Sequence, residues 1–162
     1  MKYLLLGLCL LCCVPFCVDA QKNNLLFEPL LTAYYEVKNA LVKTDANLAS
    51  EKATELVKLM NGVDMKKLFE GDSKVYSVIY PTMKSAANNI AESEMIEEQR
   101  KDFITLSNLL TELIKSIKIV DQTIYQQYCP MKKASWLSSK KEIENPYYGS
   151  EMLDCGKIAA KF

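Results

Sequence analysis

Residues 96–124 read IEEQRKDFITLSNLLTELIKSIKIVDQTI, and their apolar residues recur at intervals of three and four. This spacing is the period of an α-helix with one apolar face, and it is the clearest periodic signal in the chain. We expect the helix to extend from about Glu94 to Gln127, with Ser93 as its N-cap. A helix of that length spans about 50 Å, so its last turns should project from the domain or break near Asp121.

Two earlier segments show the same period, and each is bounded by residues that start or stop helices. The first begins at Pro29, which suits a first helical position, and extends to about Val42. Asp45 is a suitable N-cap for the second segment, which ends at the Asn61-Gly62 pair. Both segments are therefore predicted to be amphipathic helices.

A third segment opens at Gly71 and Asp72 and keeps its apolar spacing to Ile90. Pro81 lies inside it and should either kink this helix or start it afresh. Four amphipathic helices with short connections bury their apolar faces most simply against one another. The fold class predicted here is all-α, an antiparallel four-helix bundle with an irregular C-terminal cap over about 128–162.

The composition of the cap differs from that of the helices, since proline, asparagine, glycine and aromatic residues crowd into it. SEMLDCG, residues 150–156, predicts a helical turn with Ser150 as N-cap and Gly156 as its left-handed stop. ASWLS, residues 134–138, could instead pair as a short strand with GKIAA, residues 156–160. No internal repeat or second domain is evident.

The first residues, MKYLLLGLCLLCCVPFCVDAQ, place Lys2 before an almost unbroken apolar run. Val18 and Ala20 stand at the positions that signal peptidase requires, so residues 1–20 are interpreted as a signal peptide removed before Gln21. No second apolar segment is long enough to span a membrane. We therefore expect a single domain over 21–162, periplasmic or secreted, without membrane insertion after removal of the signal.

Charge and composition argue against several functions. The 162 residues contain 20 basic and 20 acidic side chains and no histidine. Balanced charge without basic runs gives no reason to expect binding to nucleic acid. The lack of histidine removes the usual general base, the common catalytic triads and the commonest metal ligand. We therefore expect a protein that is not an enzyme.

Cysteine usage points to the cap. Four of the six cysteines lie in the predicted signal peptide, so Cys129 and Cys155 are the pair that remains. In an exported protein such a pair most often forms a disulfide. Closing this loop would stabilise the fold by about 3.5 kcal/mol in the chain-entropy model. Free thiols remain a further alternative.

Four motifs of the cap are familiar together: QYCPM, SWLSS, EIENPYYG and MLDCG, in that order over residues 127–156. They resemble the C-terminal signature of a family of exported bacterial domains of unknown function. Members of that family also occur appended to adaptor proteins of copper and silver efflux systems. The resemblance implies soft-metal handling, with metal-efflux or other envelope proteins as partners. By motif match, the metal-site residues it implies are Cys129, Met131, Met152 and Cys155.

Thiolate and thioether donors favour Cu(I), because a polarizable ion gains more from sulfur than from oxygen. Trp136 could cover such a site and present its ring to the cation. A Cys129–Cys155 disulfide would compete with the metal, since it leaves no thiolate, and Met131 and Met152 would then only pack. Similarly, Tyr147 and Tyr148 could line a ligand groove, although we favour a role in docking the loop on the bundle.

Overall fold

The computed structural model describes residues 18–68, 70–117 and 122–162, apart from the side chains of 18–26 and Met65. In chain order its elements are α1 (Val18–Val42), α2 (Ala46–Asn61), a 3-10 turn (Met65–Lys67), α3 (Glu70–Glu92), α4 (Ile96–Ile117), β1 (Tyr125–Cys129), β2 (Ala134–Ser138), a second 3-10 turn (Gly149–Glu151) and β3 (Lys157–Lys161).

The second helix confirms its sequence prediction closely. Asp45 has extended backbone angles, and its side chain accepts the backbone N–H of Leu48 at 2.9 Å. This satisfies one of the amide groups that a helix leaves free at its first turn. The helix ends at Asn61, as predicted, and Gly62 caps it. The side chains of its predicted apolar face are buried, namely Ala49, Ala53, Leu56 and Met60.

The first helix differs from the prediction at its start. It begins at Val18, so Pro29 lies inside the helix and not at its first position. Residues 18–20 of the predicted signal peptide form the start of this helix, and residues 1–17 lie outside the described residues. Pro81 is likewise inside α3, which continues past it as one element.

Neighbouring helices in the chain pack on one another, with α1 on α2, α2 on α3 and α3 on α4. Short connections between consecutive helices produce this order. The core between them is apolar and contains few polar groups, and its largest fully buried side chains include Tyr34, Tyr76, Phe27 and Phe103. Among the described residues, no helix is both long enough and apolar enough to cross a membrane.

The predicted all-α class and the long fourth helix are wrong. The fourth helix ends at Ile117, and residues 125–127, predicted to be its last turn, belong to strand β1. The cap contains a three-stranded antiparallel sheet with the strand order β2-β1-β3. The molecule is therefore a helical bundle with a C-terminal sheet. Residues 126–129 alternate between half-buried and buried positions, which suits a strand with one covered face.

The strand alternative considered for the cap was correct in its segments and wrong in its pairing. ASWLS forms β2, and most of GKIAA lies in β3, but each pairs with β1 and not with the other. Sequence reasoning missed the strand that pairs with both, YQQYC at residues 125–129, because it predicted that the fourth helix extends to Gln127. A register shift between Gln126 and Gln127 marks a bulge in the β1–β3 pair.

The outer edge of β2 is covered by the rest of the molecule. The hydroxyl of Tyr34 on α1 accepts the backbone N–H of Leu137 at 3.0 Å. On the same strand, the carbonyl oxygen of Ser135 accepts the hydroxyl of Tyr147. An edge strand with free backbone groups invites pairing with another chain, and these two tyrosines satisfy such groups internally. They also fix the sheet against α1 and α4.

Candidate functional site

Cys129 and Cys155 lie side by side, with their sulfur atoms 3.6 Å apart. Both are free thiols, Cys129 fully buried and Cys155 partly exposed. A disulfide bond is about 2.05 Å long, so the sulfurs are in hydrogen-bonding contact and not bonded covalently. The cap therefore folds back on itself and brings its two cysteines to one place.

The three-stranded sheet brings Cys129 and Cys155 together. Cys129 is the last residue of β1, and Cys155 stands two residues before β3. Because β1 and β3 are antiparallel, with Tyr128 opposite Lys157, the end of one strand lies beside the start of the other. The two cysteines are 26 positions apart in the sequence, and the chain between them returns through β2 and the second 3-10 turn.

Backbone amides of the hairpin turn between β1 and β2 are directed at the sulfur of Cys129. The N–H of Lys132 donates to this sulfur at 3.4 Å. Burial alone would raise the pKa of the Cys129 thiol, but hydrogen bonds from Lys132, Asn145, Cys155 and Met131 together hold that pKa below its ordinary value. Donors aimed at a sulfur favour its thiolate, which is the form that binds metals and attacks disulfides.

The two thiols are electrostatically unequal. The hydrogen bond with Cys129 raises the pKa of the Cys155 thiol, and burial adds to that effect. Cys155 therefore keeps its proton and shares it with the neighbouring sulfur. Such a pair titrates in two coupled steps that belong to the pair as a whole.

Asn145 connects the two cysteine segments, and sequence reasoning did not assign it a role. It is fully buried, and its amide nitrogen donates to the carbonyl oxygen of Cys155 at 2.7 Å. Its amide oxygen accepts the N–H of Tyr147 at 2.9 Å, closing a local turn. It also forms a hydrogen bond with Cys129 that lowers the pKa of that thiol. The Asn-Pro pair in the sequence was the available signal, but it indicated only a turn.

The other residues of the predicted metal site lie in the segments that carry the thiols. Met131 is on the hairpin turn with 64% of its surface exposed, and its backbone N–H acts to lower the pKa of both thiols. Met152 is partly exposed at the end of the second 3-10 turn. Within the parts of the chain that the structure describes, no three His, Cys, Asp or Glu side chains cluster to hold a metal ion.

Trp136 is fully buried on β2 beside this site. A Cβ added to Gly156, the residue after Cys155, would lie 2.9 Å from the indole ring. The ring meets that of Tyr147 edge to face, with centroids 5.8 Å apart. The predicted left-handed stop at Gly156 is wrong, because Gly149 is the glycine with a positive φ, +57°. Ser150 lies within the turn and does not cap it.

The first tyrosine of the NPYYG motif, Tyr147, docks the cap on the bundle. Tyr147 is buried, and its ring lies 6.1 Å from that of Phe103 on α4. Phe103 in turn stacks on Tyr34 of α1 at 5.1 Å. These aromatic contacts form a continuous path from α1 to β2, which supports the docking interpretation of Tyr147 over a ligand groove.

A buried cation completes the docking. Arg100 on α4 is 4% exposed and donates to the carbonyl oxygen of Pro146 at 3.0 Å and to Thr44 Oγ1 at 3.0 Å. Sequence reasoning missed it, although a charged residue three positions before Phe103 on an apolar face was a signal. A second link joins the buried Lys38 on α1 to Glu144 at 3.1 Å.

A comparison with protein families identifies the family of this chain. The family model described as "Protein of unknown function (DUF3347)" matches residues 30–122, more than half of the chain. The chain belongs to this family. The match covers α2 to α4 and most of α1, and it ends before β1. Comparisons with curated proteins and with solved structures found no match.

The family confirms one part of the sequence interpretation, namely membership in a family of unknown function. The four cap motifs lie entirely outside the matched residues, since the match ends at residue 122 and QYCPM begins at residue 127. The association with copper and silver efflux adaptors therefore stays a prediction. So does the sulfur site that the resemblance implied.

Proposed function

We propose that this DUF3347 protein is an exported, non-enzymatic accessory of soft-metal handling that binds Cu(I) or Ag(I) through Cys129 and Cys155. The supporting observation is the 3.6 Å separation of their sulfur atoms. Two metal–sulfur bonds of about 2.3 Å meeting at a tetrahedral angle span about 3.8 Å, so one ion can contact both sulfurs with little movement. Soft sulfur donors select such ions over hard cations.

The hydrogen bonds around the pair support the same proposal. A thiol must lose its proton before it binds a metal. The Lys132 N–H and the Asn145 side chain lower the pKa of Cys129, so one of the two ligands is favoured as a thiolate before the ion arrives. The proton on Cys155 would be released when the ion replaces the sulfur–sulfur hydrogen bond.

Further donors would come from the two methionines. Met131 and Met152 lie in the two segments that carry the thiols, and both retain exposed surface. Their thioethers would complete the four-sulfur site that the cap motifs imply, and the buried Trp136 would limit access from the side of the bundle. In this proposal the leader sends the protein to the periplasm or outside the cell. Its partners there would be metal-efflux or other envelope proteins.

The experiment is an anaerobic titration of the fully reduced protein with Cu(I) in competition with a chromogenic chelator. We expect one Cu(I) per chain for the wild type and no binding for the Cys129→Ser/Cys155→Ser double variant. Met131→Leu, which keeps the volume and removes the thioether, should weaken binding without abolishing it. Met95→Leu serves as the matched control, because Met95 is an exposed methionine that precedes α4 and lies outside the cap.

A failure of Cu(I) to bind the reduced wild type, or equal binding by the double variant, would refute the proposal. Circular dichroism must show that the double variant is folded. Cys155→Ser alone gives a second test, because this partly exposed residue tolerates a hydroxyl better than the buried Cys129. It should lose most of the affinity while it keeps the fold.

The same distance supports a second candidate function, a non-enzymatic envelope interaction domain clasped by a Cys129–Cys155 disulfide. The sulfurs would need to approach by about 1.6 Å from their 3.6 Å separation. Closing a loop of 26 residues would stabilise the cap by about 3.5 kcal/mol. Thiols trapped by alkylation before cell lysis, then analysed by mass spectrometry, decide between the two. Two free thiols in the isolated protein would exclude the clasp.

A further inference from the structure

We propose that the thiol pair undergoes ordered oxidation by low-molecular-weight disulfides, in which Cys155 reacts first and forms the mixed disulfide, and Cys129 resolves it. The order follows from their unequal burial and from the 3.6 Å between their sulfurs. The exchange chemistry stands on these observations alone. Its consequence, the loss of the metal site on oxidation, rests on the function proposed above.

Access decides which sulfur reacts first. Cys129 is fully buried at the end of β1, opposite the buried Ala134 of β2. Asn145, also fully buried, covers it from the loop that follows. Cys155 precedes the exposed strand β3 and retains part of its surface in solvent. A disulfide in solution can therefore approach Cys155 in line, whereas it would have to open the hairpin to reach Cys129.

The first step forms the mixed disulfide. Cys155 gives its proton to water, and its thiolate attacks one sulfur of the disulfide RSSR. The S–S bond of RSSR breaks, a first RS⁻ leaves and takes up a proton, and Cys155–S–S–R remains.

The second step closes the ring. The Cys129 thiolate attacks the sulfur of Cys155, the Cys155–S–S–R bond breaks, and a second RS⁻ leaves and is protonated. The two protein thiols are thereby oxidised to one disulfide and RSSR is reduced to two RSH. The Lys132 N–H donates to the Cys129 sulfur at 3.4 Å, which stabilises the charge of the resolving thiolate. No thiolate is then left for a metal.

The test treats the reduced, metal-free full chain with excess oxidised glutathione and follows the products by mass spectrometry. The wild type should lose both thiols and pass through a transient glutathione adduct on Cys155. Cys129→Ser should accumulate a stable adduct on Cys155, because no resolving thiol remains. Cys155→Ser should form its adduct on Cys129 at least about tenfold more slowly than Cys129→Ser forms its adduct on Cys155.

The proposed order of reaction is wrong if the first glutathione adduct of the wild type lies on Cys129. This observation is made on the wild type and needs no variant. The proposed order is also wrong if the two single-cysteine variants react at equal rates, provided that both remain folded. Cys129→Ala replaces Cys129→Ser if the buried hydroxyl unfolds the cap. Cu(I) titration of the reduced and the oxidised wild type is a separate arm. Ordered exchange without Cu(I) binding would refute the metal function alone, and Cu(I) binding without ordered exchange would refute this inference alone.

Discussion

Arg100 on α4 and Pro146 in the cap are joined by a hydrogen bond of 3.0 Å, from the guanidinium Nε to the carbonyl oxygen. The same side chain donates to Thr44 Oγ1 in the α1–α2 turn and to Glu97 one helical turn earlier. One buried cation thus ties the first turn of α4, the end of α1 and the segment that carries Asn145. The position of the thiol pair depends on this link, because Asn145 directly precedes Pro146.

Replacing Arg100 with methionine should therefore destabilise the protein strongly. Methionine keeps much of the volume but leaves the Pro146 carbonyl and the Thr44 hydroxyl without their donor. We expect the free energy of unfolding, measured in urea, to fall by about 3 kcal/mol. Lys101→Met is the matched control, since Lys101 is exposed and pairs with the exposed Glu98. It should change the stability by less than about 0.5 kcal/mol.

Gly149→Ala should also weaken the docking of the cap. Gly149 has φ +57°, and a Cβ there would overlap Thr44 Oγ1 and lie 2.9 Å from both Arg100 Nη2 and the Val42 carbonyl oxygen. Strain and overlap together should cost about 2–4 kcal/mol. Gly71→Ala, in the first turn of α3 with nothing near the added Cβ, should instead be neutral or stabilising by up to about 1 kcal/mol. Thermal melting of the two variants compares them directly, and equal melting temperatures would contradict the role of Gly149.

Two adjacent tyrosines should respond differently to removal of their hydroxyl. Tyr34→Phe leaves the N–H of Leu137 on the edge of β2 without its acceptor and deprives Ser107 of its partner. The substitution should lower the free energy of unfolding, measured in urea, by about 1–3 kcal/mol. The buried hydroxyl of Tyr35 has no hydrogen-bond partner among the described residues. Tyr35→Phe should therefore be neutral or slightly stabilising. A larger loss for Tyr35→Phe would contradict the predicted anchoring of β2.

The free energy of unfolding should fall at alkaline pH because of the buried tyrosine hydroxyls. Burial raises the pKa of Tyr34 and of Tyr35 above the ordinary value of about 10. Above that pH the unfolded chain releases phenolic protons that the folded protein keeps, so the free energy of unfolding decreases as the pH rises. Tyr35→Phe should reduce this slope by up to about 1.4 kcal/mol per pH unit while leaving the neutral-pH stability almost unchanged. Urea unfolding on both sides of pH 10 measures the slope, and an unaltered slope would show that Tyr35 ionises normally.

Asn145→Ala should change the chemistry of the thiol pair. The substitution removes one of the hydrogen bonds that lower the pKa of Cys129, so that pKa should rise. The ultraviolet absorbance of the thiolate, followed against pH in the reduced protein, measures this change. Asn89→Ala is the control, because Asn89 is exposed and its amide donates to Asp102 on the neighbouring helix. An unchanged titration in Asn145→Ala would show that the backbone amides alone set the pKa.

The sequence by itself determined the four helices and most of their boundaries. Apolar spacing, the Asp45 cap and the Asn61-Gly62 stop are local signals that act within a few residues, and they identified α2 almost exactly as it is found. The even cysteine pair and the crowded cap motifs also indicated where side chains with reactive sulfur would lie. These properties depend on residues that are close in the chain, so no knowledge of the fold was needed.

Only the tertiary structure decided how the chain continues after α4 and how the cap is built. The apolar period of α4 runs on past Ile117, and no local signal says that Tyr125–Cys129 forms a strand whose two partners come later in the chain. Strand pairing is a contact between distant residues, and it places Cys129 beside Cys155 at 3.6 Å. Asn145 and Arg100 likewise acquire their roles from partners that are far away in the sequence. Long-range hydrogen bonding, which no short stretch of the sequence encodes, therefore sets the geometry of the site.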